Sequence, residues 1–531
     1  MRFAVFALTI VLAGLSAALA LARDPAWAWP LMVLAPLVAL GVWDVIQPRH
    51  AVLRNYPVIG HLRWLFEAVR PELRQYFFAS DEDDRPFDRQ QRSLVYRRAK
   101  QVEDRTPFGT KDDAYDPDFS WLTHSVAPRP PADGAGFRVR VGGPACTKPY
   151  DASVLNISAM SFGSLSANAV RALNRGAKLG GFAHDTGEGA ISRHHRAEGG
   201  DLIWEIGTGY FGCRTAAGAF DPALFADTAA ADQVRMVEIK ISQGAKPGHG
   251  GVLPAAKITP EIAEARGIPM GVDCVSPAFH SAFSTPLELV AFIASLRELA
   301  GGKPVGFKLC IGHPHEFMAI LKAMLETDVT PDFIVIDGAE GGTGAAPIEF
   351  ADHIGTPLAE GLAFAHSALV GAGLRDRVRL AASGKVVSAF DIVRVLALGA
   401  DWANAARAFM FAIGCIQSLS CHTNHCPVGV ATQDTRRQRG LVVTDKATRV
   451  ANYHRNTLHA LAEVIGAAGL THPSQIAREH VFRRQGDGAV VSAEHRFRWL
   501  HPGELIDGCD DPAFARAWSR AQPESFAPKE G

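Results

Sequence analysis

Three of the chain's eight cysteines fall close together in GCIQSLSCHTNHCPVGVATQD. Cys415, Cys421 and Cys426 form C-x5-C-x4-C, with Pro427 directly behind the last thiol. Thiolates bind iron and zinc, and in iron–sulfur runs a proline after the last ligand turns the chain away from the cluster. Three local thiols without an obvious fourth suit a three-iron cluster with one vacant corner. Zinc would need a fourth donor, which His422 or His425 can supply. Three buried structural cysteines are the plain alternative, because free cysteine packs as a small hydrophobe. Spacing alone leaves all three readings open. The remaining cysteines (146, 213, 274, 310 and 509) are scattered without the density of a disulfide scaffold, which fits a reducing compartment.

The elements that must hold such a loop are visible in the texture of the chain. From Ser153 onward, short apolar runs (SVLNISAM, VRMVEIKI, PVGFKLC, DFIVID, VRLAASG, DWANAA) are interleaved with helical-period segments such as TPLELVAFIASLRELA and HEFMAILKAMLE. That alternation predicts a parallel sheet wrapped by helices. Glycine or polar clusters close several candidate strands: MSFGS, HDTGEG, QGAKPGHGG, DGAEGGTG and ASGK. They recur over roughly 230 residues and no GxGxxG turn opens a helix, so a (β/α)8 TIM barrel of the α/β class is expected rather than a doubly wound sheet. The loops at the strand C-termini would form its one active face.

Lys and Arg (54) nearly balance Asp and Glu (55). This excludes the global field that draws in nucleic acid and leaves small molecules as the expected partners. The first residues differ in character. Phe3 to Ala22 carries no charge, and as a helix it rises about 30 Å, the thickness of a bilayer core. A second apolar run extends from Trp27 to Trp43 and continues through Val45 and Ile46. With Trp27, Trp29 and Trp43 near its ends, it predicts a transmembrane helical hairpin over 1–48. Arg2 and Ala20-Leu21-Ala22 also fit a cleaved signal peptide. Arg49, Arg54, Arg63 and Arg70 follow the second run, so the positive-inside rule gives a multi-pass N-terminal membrane anchor with the barrel facing the cytoplasm. The expected domains are the hairpin (1–48), a polar connector and barrel cap (49–150), the barrel with its cysteine loop (151–470) and a C-terminal extension (471–531).

GCIQSLSCHTNHCPVGVATQD resembles the three-iron cluster loop of the glutamate synthase family. DGAEGGTGAAP, GLRDRVRLAASGK, QGAKPGHGG and ISAMSFGSLS resemble pieces of that family's flavin-binding barrel, and they follow the family's order. The resemblance covers residues 151–470. It implies a (β/α)8 barrel holding FMN beside a 3Fe-4S cluster, with electrons entering through the cluster and leaving through the flavin. A cluster passes single electrons and a flavin stores two, so the pair converts a one-electron donor into a hydride donor.

On that resemblance, Ser383-Gly384-Lys385 and Ala405-Ala406-Arg407 are expected around the FMN phosphate. Lys308, in GFKLC, would steady negative charge at N1 and O2 of reduced flavin; an ordinary ion pair is the alternative. Met160, Ser161, Gly163 and Ser164 would surround the isoalloxazine, and Thr186 and Gly341-Gly342-Thr343 would let backbone approach it. Glu188 would orient an amine or imine. Lys246, supported by Gln243, is the expected contact for a substrate carboxylate, with Arg266 as a second cation. Cys415, Cys421 and Cys426 would ligate the cluster.

Neither the family's N-terminal glutaminase nor its right-handed β-helix is expected in this chain. The expected activity is that of an oxidoreductase acting on CH–NH2 donors, by reductive amination of a 2-oxo acid or its reverse. The alternatives are a membrane-tethered flavin and iron–sulfur electron-transfer protein, and a redox sensor or scaffold without turnover. The electron donor would be a ferredoxin or another reductase. One departure from the family stands out: glutamate synthases carry a glutamine six residues after this lysine, and here the position is Val252. Weaker use of 2-oxoglutarate, and preference for an acid with a less polar distal end, are expected.

Overall fold

The computed structural model describes residues 2–78 and 84–530. Two compact units divide the chain, Met1–Gln90 and Gln91–Gly531.

The first unit holds helices α1 (Ala4–Ala22), α2 (Leu31–Ile46) and α3 (His61–Leu73). A 3-10 turn, Pro25–Ala28, joins α1 to α2, capped by the Asp24 carboxylate, which accepts from the Ala26 N–H. Two segments, Ala4–Ala22 and Pro25–Ile46, are long and apolar enough to cross a membrane. A Cβ added to Gly41 would lie 2.3 Å from the Phe6 ring, so glycine is what lets α2 approach α1 this closely.

In the second unit eight parallel strands close into a barrel. They are β1 (Leu155–Ile157), β2 (His184–Asp185), β3 (Leu202–Ile206), β4 (Val234–Lys240), β5 (Val305–Leu309), β6 (Phe333–Asp337), β7 (Arg379–Ser383) and β8 (Trp402–Ala405). Each strand pairs with its sequence neighbours, and Ala405 of β8 aligned with Ile157 of β1 closes the ring. In a closed barrel each strand has one face under the ring of helices and the other in the barrel interior, so LIWEI and VGFKL are buried at every position. This is the (β/α)8 architecture that the alternating runs predict. β2 and β3 are the strands that the apolar runs did not announce.

The helices start where their side chains cap them. Thr285 and Glu288 form a capping box before Pro286–Leu299, and Ser388 with Asp391 does the same before Ala389–Ala397. Both helical-period segments singled out in the sequence are helices, Pro286–Leu299 and Pro314–Thr327. Outside the barrel, Arg138–Val141 pairs antiparallel with Tyr150–Ser153, and Ser120–Leu122 joins Val481–Arg484 and Val490–Ser492 in a small sheet. Residues before and after the barrel are therefore packed into one sheet.

Candidate active site

Glycine lets the loops beyond the strand C-termini pack directly on one another. A Cβ on Gly244, in the loop after β4, would fall 1.7 Å from the Gly338 carbonyl oxygen in the loop after β6. The Gly244 N–H donates to Asp337 Oδ2 at 2.7 Å, which ties the same two loops. Gly187, at φ +64°, lies against Met160 and Ser161, where a Cβ would meet the Ser161 nitrogen at 2.5 Å. QGAK, DGAEGG, TGEG and MSFGS, far apart in the chain, thus meet at one end of the barrel.

Four charged side chains gather there. Glu188 Oε1 lies 3.2 Å from Lys240 Nζ at the end of β4, and both are buried or nearly so. Burial opposes ionisation of Glu188, but Lys240, Arg266 and Lys246 outweigh it and hold its pKa below the usual value. The backbone of Gly251 closes over this carboxylate, with a Cβ there only 2.0 Å from Oε1. Lys246 is buried and donates to the Ala345 carbonyl at 3.1 Å. Burial, helped by Lys240, lowers its pKa to about 8. Arg266 is buried as well. It donates to the Phe162 carbonyl at 3.1 Å, reaches Ser161 Oγ at 3.5 Å and stacks over Phe211 at 5.1 Å. Three cations against one carboxylate leave an excess of positive charge in a largely dehydrated site, which suits an anionic ligand. Lys240 was not singled out by the sequence; a lysine ending a buried strand is the signal that could have found it.

Val252 pairs with Val275 in a two-residue antiparallel ladder, and Gln243 contributes its carbonyl to the Lys246 N–H at 3.3 Å. Beside this ladder lies a cavity of about 330 Å³ lined by Thr208, Phe211, Arg214, Val272, Cys274 and Val275. Ser161 Oγ donates to Ser164 Oγ at 3.0 Å, Gly163 adopts φ +107°, and the Thr186 hydroxyl donates to the Gly187 carbonyl. Met160 is buried beneath them.

Lys308 lies within the barrel, its ammonium shared by Glu205 and Glu238, the latter at 2.9 Å. Asp185 completes a trio of carboxylates whose oxygens lie within 4.8 Å of one another. Burial works against the Lys308 charge, but Glu205, Glu238, Asp185 and Asp337 outweigh it and hold its pKa well above the usual value. Burial and the neighbouring glutamates push the pKa of Asp185 up. The barrel axis here is a shared ion cluster, the ion-pair alternative to a free cation.

Arg407 links two of the expected cofactor motifs: it donates to the Glu340 carbonyl at 2.7 Å and packs against Gly342. Burial lowers its pKa to about 10. Ser383 Oγ lies 3.2 Å from Ser158 Oγ across the barrel mouth. Gly384 at φ +152° and Lys385 at φ +49° turn the chain sharply after β7. Ala405 and Ala406 lead from β8 into the short helix Arg407–Ala412. Thr343 donates within its own loop, to the Ala345 carbonyl.

The cysteine loop is tightly wound. Gln417, Leu419 and Asn424 all have positive φ, between 56° and 65°, a conformation that costs non-glycine residues of order 1 kcal/mol or more. The Gln417 N–H points at Cys415 Sγ from 3.5 Å, and Tyr96 donates to the Cys415 carbonyl at 2.6 Å. Burial raises the Cys415 pKa to about 12, and Cys421 and Cys426 add to the rise. His422 and His425 are exposed.

Two buried side chains bind this loop to the MSFGS loop. Lys257 Nζ donates to the carbonyls of Ser164 (2.8 Å), Cys421 (3.3 Å) and Ala431 (3.4 Å). Gln433 Nε2 donates to the carbonyls of Gly163 (3.0 Å) and Leu165 (2.9 Å). Sequence reasoning passed over both, because an isolated lysine in PAAK and a glutamine in ATQD carry no pattern.

An eight-stranded barrel with its charged and cysteine-bearing loops at the strand C-termini is the framework of a barrel enzyme. Residues 148–471 match the conserved region in glutamate synthase. The chain belongs to the glutamate synthase family and is an oxidoreductase. It is 36% identical to the glutamate synthase large subunit-like protein YerD of Bacillus subtilis (strain 168), over 87% of this chain and 96% of that protein. It is also 36% identical to an archaeal-type glutamate synthase (NADPH) of Thermotoga neapolitana, over 59% of each chain. The match to the glutamate synthase (NADPH) large chain of B. subtilis is 34% identical and spans 21% of that protein.

Proposed function

We propose that this chain is a membrane-tethered FMN and iron–sulfur oxidoreductase that carries out reductive amination of a 2-oxo acid, or the reverse oxidation of an amino acid. The observation that carries the reading is the Glu188, Lys240, Lys246 and Arg266 cluster at the open end of the barrel.

The residues present fit both cofactors. Ser383, Gly384, Lys385, Ala405, Ala406 and Arg407 offer a hydroxyl, a sharp backbone turn and a guanidinium, a donor set for the FMN phosphate. Met160, Ser161, Gly163, Ser164, Thr186 and Gly341-Gly342-Thr343 would border the ring. Lys308 would steady charge at N1 and O2 as a cation already shared with Glu205 and Glu238. Three thiols on one tightly wound loop, with the Gln417 N–H aimed at Cys415 Sγ and the loop's histidines, His422 and His425, exposed, support a 3Fe-4S cluster on Cys415, Cys421 and Cys426. When bound, the flavin supplies two-electron transfer and the cluster accepts single electrons from a donor such as a ferredoxin or another reductase.

Lys246 and Arg266 hold the substrate carboxylate, with Gln243 positioning the Lys246 loop. Lys246, its pKa lowered to about 8 by burial, is still mostly protonated at neutral pH and so keeps the charge that the carboxylate needs. Glu188 stays ionised and orients the amine or imine nitrogen, while Lys240 keeps its charge balanced. The Gly251 backbone excludes water from that carboxylate. Val252, in the ladder with Val275, offers no side-chain hydrogen bond where the family carries a glutamine, which supports an acid with a less polar distal end than 2-oxoglutarate.

Reoxidation of the reduced flavin by a panel of 2-oxo acids, with protein purified without oxygen, tests the reading. Acid-dependent reoxidation is expected, and Val252→Gln should improve 2-oxoglutarate by about 5- to 150-fold, the equivalent of one hydrogen bond worth roughly 1 to 3 kcal/mol. Reoxidation indifferent to every oxo acid would leave an electron relay instead.

The tether rests on inside-out burial. In α1 the buried residues are Thr9 and Ser16, and in α2 they are Gly41 and Asp44, while the apolar side chains face outward. Arg49, Arg54, Arg63 and Arg70 then keep the barrel on the cytoplasmic side. Retention in the membrane pellet after washing with high salt tests this, because apolar insertion does not depend on charge screening.

A further inference from the structure

Helix α3 has no buried residue, and neither does the turn Arg74–Phe78 that continues it. Its composition is nevertheless sharply divided. Leu62, Leu65, Phe66, Val69 and Leu73 recur at helical spacing on one face, and every one of them is exposed. Tyr76 and Phe77 extend that face. Arg63, Glu67, Arg70 and Arg74 occupy the other, with an ion pair from Arg63 to Glu67 at 2.9 Å.

The position of the helix is set by a buried carboxylate. Asp44 lies two residues before the end of α2 and is fully buried. Its Oδ2 accepts from the Val58 N–H at 2.9 Å, and its Oδ1 lies 2.9 Å from His61 Nε2. His61 is the first residue of α3. Trp64 packs edge-on against His50, which fixes the first turn further. The start of α3 is therefore held beside the last turn of α2, where a spanning helix would leave the hydrocarbon.

We propose that α3 lies in the plane of the membrane surface, its apolar face in the acyl boundary and its arginines among anionic headgroups. This rests on the tether reading. An apolar face flanked by cations suits that boundary, and Arg49 and Arg54 in the connecting stretch add to the attraction. A short linker and a pinned first turn leave the helix beside the bilayer with its apolar face otherwise in water.

The test uses the full chain in vesicles of phosphatidylglycerol and phosphatidylcholine, with Phe66 or Arg70 replaced by photoreactive benzoylphenylalanine. Light should couple position 66 to lipid acyl chains, with several-fold less acyl-chain adduct at position 70. Coupling of position 66 to a second copy or to residues 91–530, or equal coupling at both positions, would overturn the proposal. In vesicles of phosphatidylcholine alone the lipid adduct should fall about fivefold or more; an unchanged yield overturns the role of the arginines. Alkaline extraction separates the two readings. A chain released by alkali defeats the tether itself, whereas a chain that resists alkali and gives no lipid adduct at position 66 defeats only the placement of α3.

Discussion

In the barrel the buried residues include Leu155, Ile203, Val237, Phe307 and Ile334, whereas in α1 and α2 they are Thr9, Ser16, Gly41 and Asp44. Leu21 is 91% exposed and Val11 63%, values that no apolar residue in a barrel strand approaches. Removing one large apolar side chain from water is worth about 1.5 to 3 kcal/mol, so the barrel gains by hiding them and α1 forgoes that gain. The two units are written for different solvents. What holds the hairpin together is close packing at Gly41 and hydrogen bonds out of α1, such as Ser16 Oγ to the Trp27 carbonyl at 2.5 Å. The barrel's open end departs from its own rule in a different way. There the buried groups are ionic, and they are paired or aimed at the space a ligand would fill.

The largest expected effect is on the ionic and thiol end of the barrel. Replacing Cys415, Cys421 or Cys426 by serine should abolish the iron signal in electron paramagnetic resonance while much of the flavin stays bound. Zinc without iron in protein purified anaerobically would contradict the electron-entry role. Next, Lys246→Met should lower kcat/KM for the oxo acid about 10²-fold or more, since a charge-assisted contact of roughly 3 kcal/mol is lost. A change below threefold would mean that the cluster of cations does not bind substrate.

The comparison between solvents is sharpened by a pair of arginine substitutions. Val11→Arg should cost about 2.5 to 3.5 kcal/mol of membrane insertion, read as the fraction of chain resisting alkaline extraction, and leave the barrel's flavin absorbance intact. Were α1 in water, a substitution at so exposed a site would change stability by no more than about 0.5 kcal/mol. Val237→Arg, inside β4, should instead prevent barrel folding and flavin binding. The smallest effect is one of pH. Lys246 must be protonated to hold a carboxylate, and burial lowers its pKa to about 8. Substrate affinity is therefore full below pH 8 and falls above it, so KM for the oxo acid should rise by up to about tenfold per pH unit. A KM flat to pH 10 would exclude Lys246 as the carboxylate contact.

Much of the barrel was legible before the structure. Strands β1 and β4 to β8 coincide with apolar runs bounded by glycine or polar clusters, and a run of that kind has few other uses in a soluble core. β2 and β3 were not announced by apolar runs: His184–Asp185 is two polar residues, and LIWEI, which like VGFKL mixes an aromatic with a charge, was passed over. Its glutamate is accommodated only by a lysine on β5. The motifs named the loops, but motif spacing says nothing about which side chains touch. Lys308 illustrates this, since a buried lysine at a strand end reads the same whether it faces a flavin or two glutamates.

By itself the sequence determined the alternation that makes a barrel, the three thiols on one loop, the two apolar runs and the family to which they belong. Those are properties of local composition and order, where hydrophobic period and turn chemistry act over a few residues. Only the tertiary structure decided that Lys240 stands beside Glu188, that Lys257 and Gln433 tie the cysteine loop to the MSFGS loop, and that Asp44 holds the start of α3. These contacts join residues 14 to 270 positions apart, across turns that glycine makes passable, and direct electrostatic and hydrogen-bond forces act over a few ångströms of space whatever the distance along the chain.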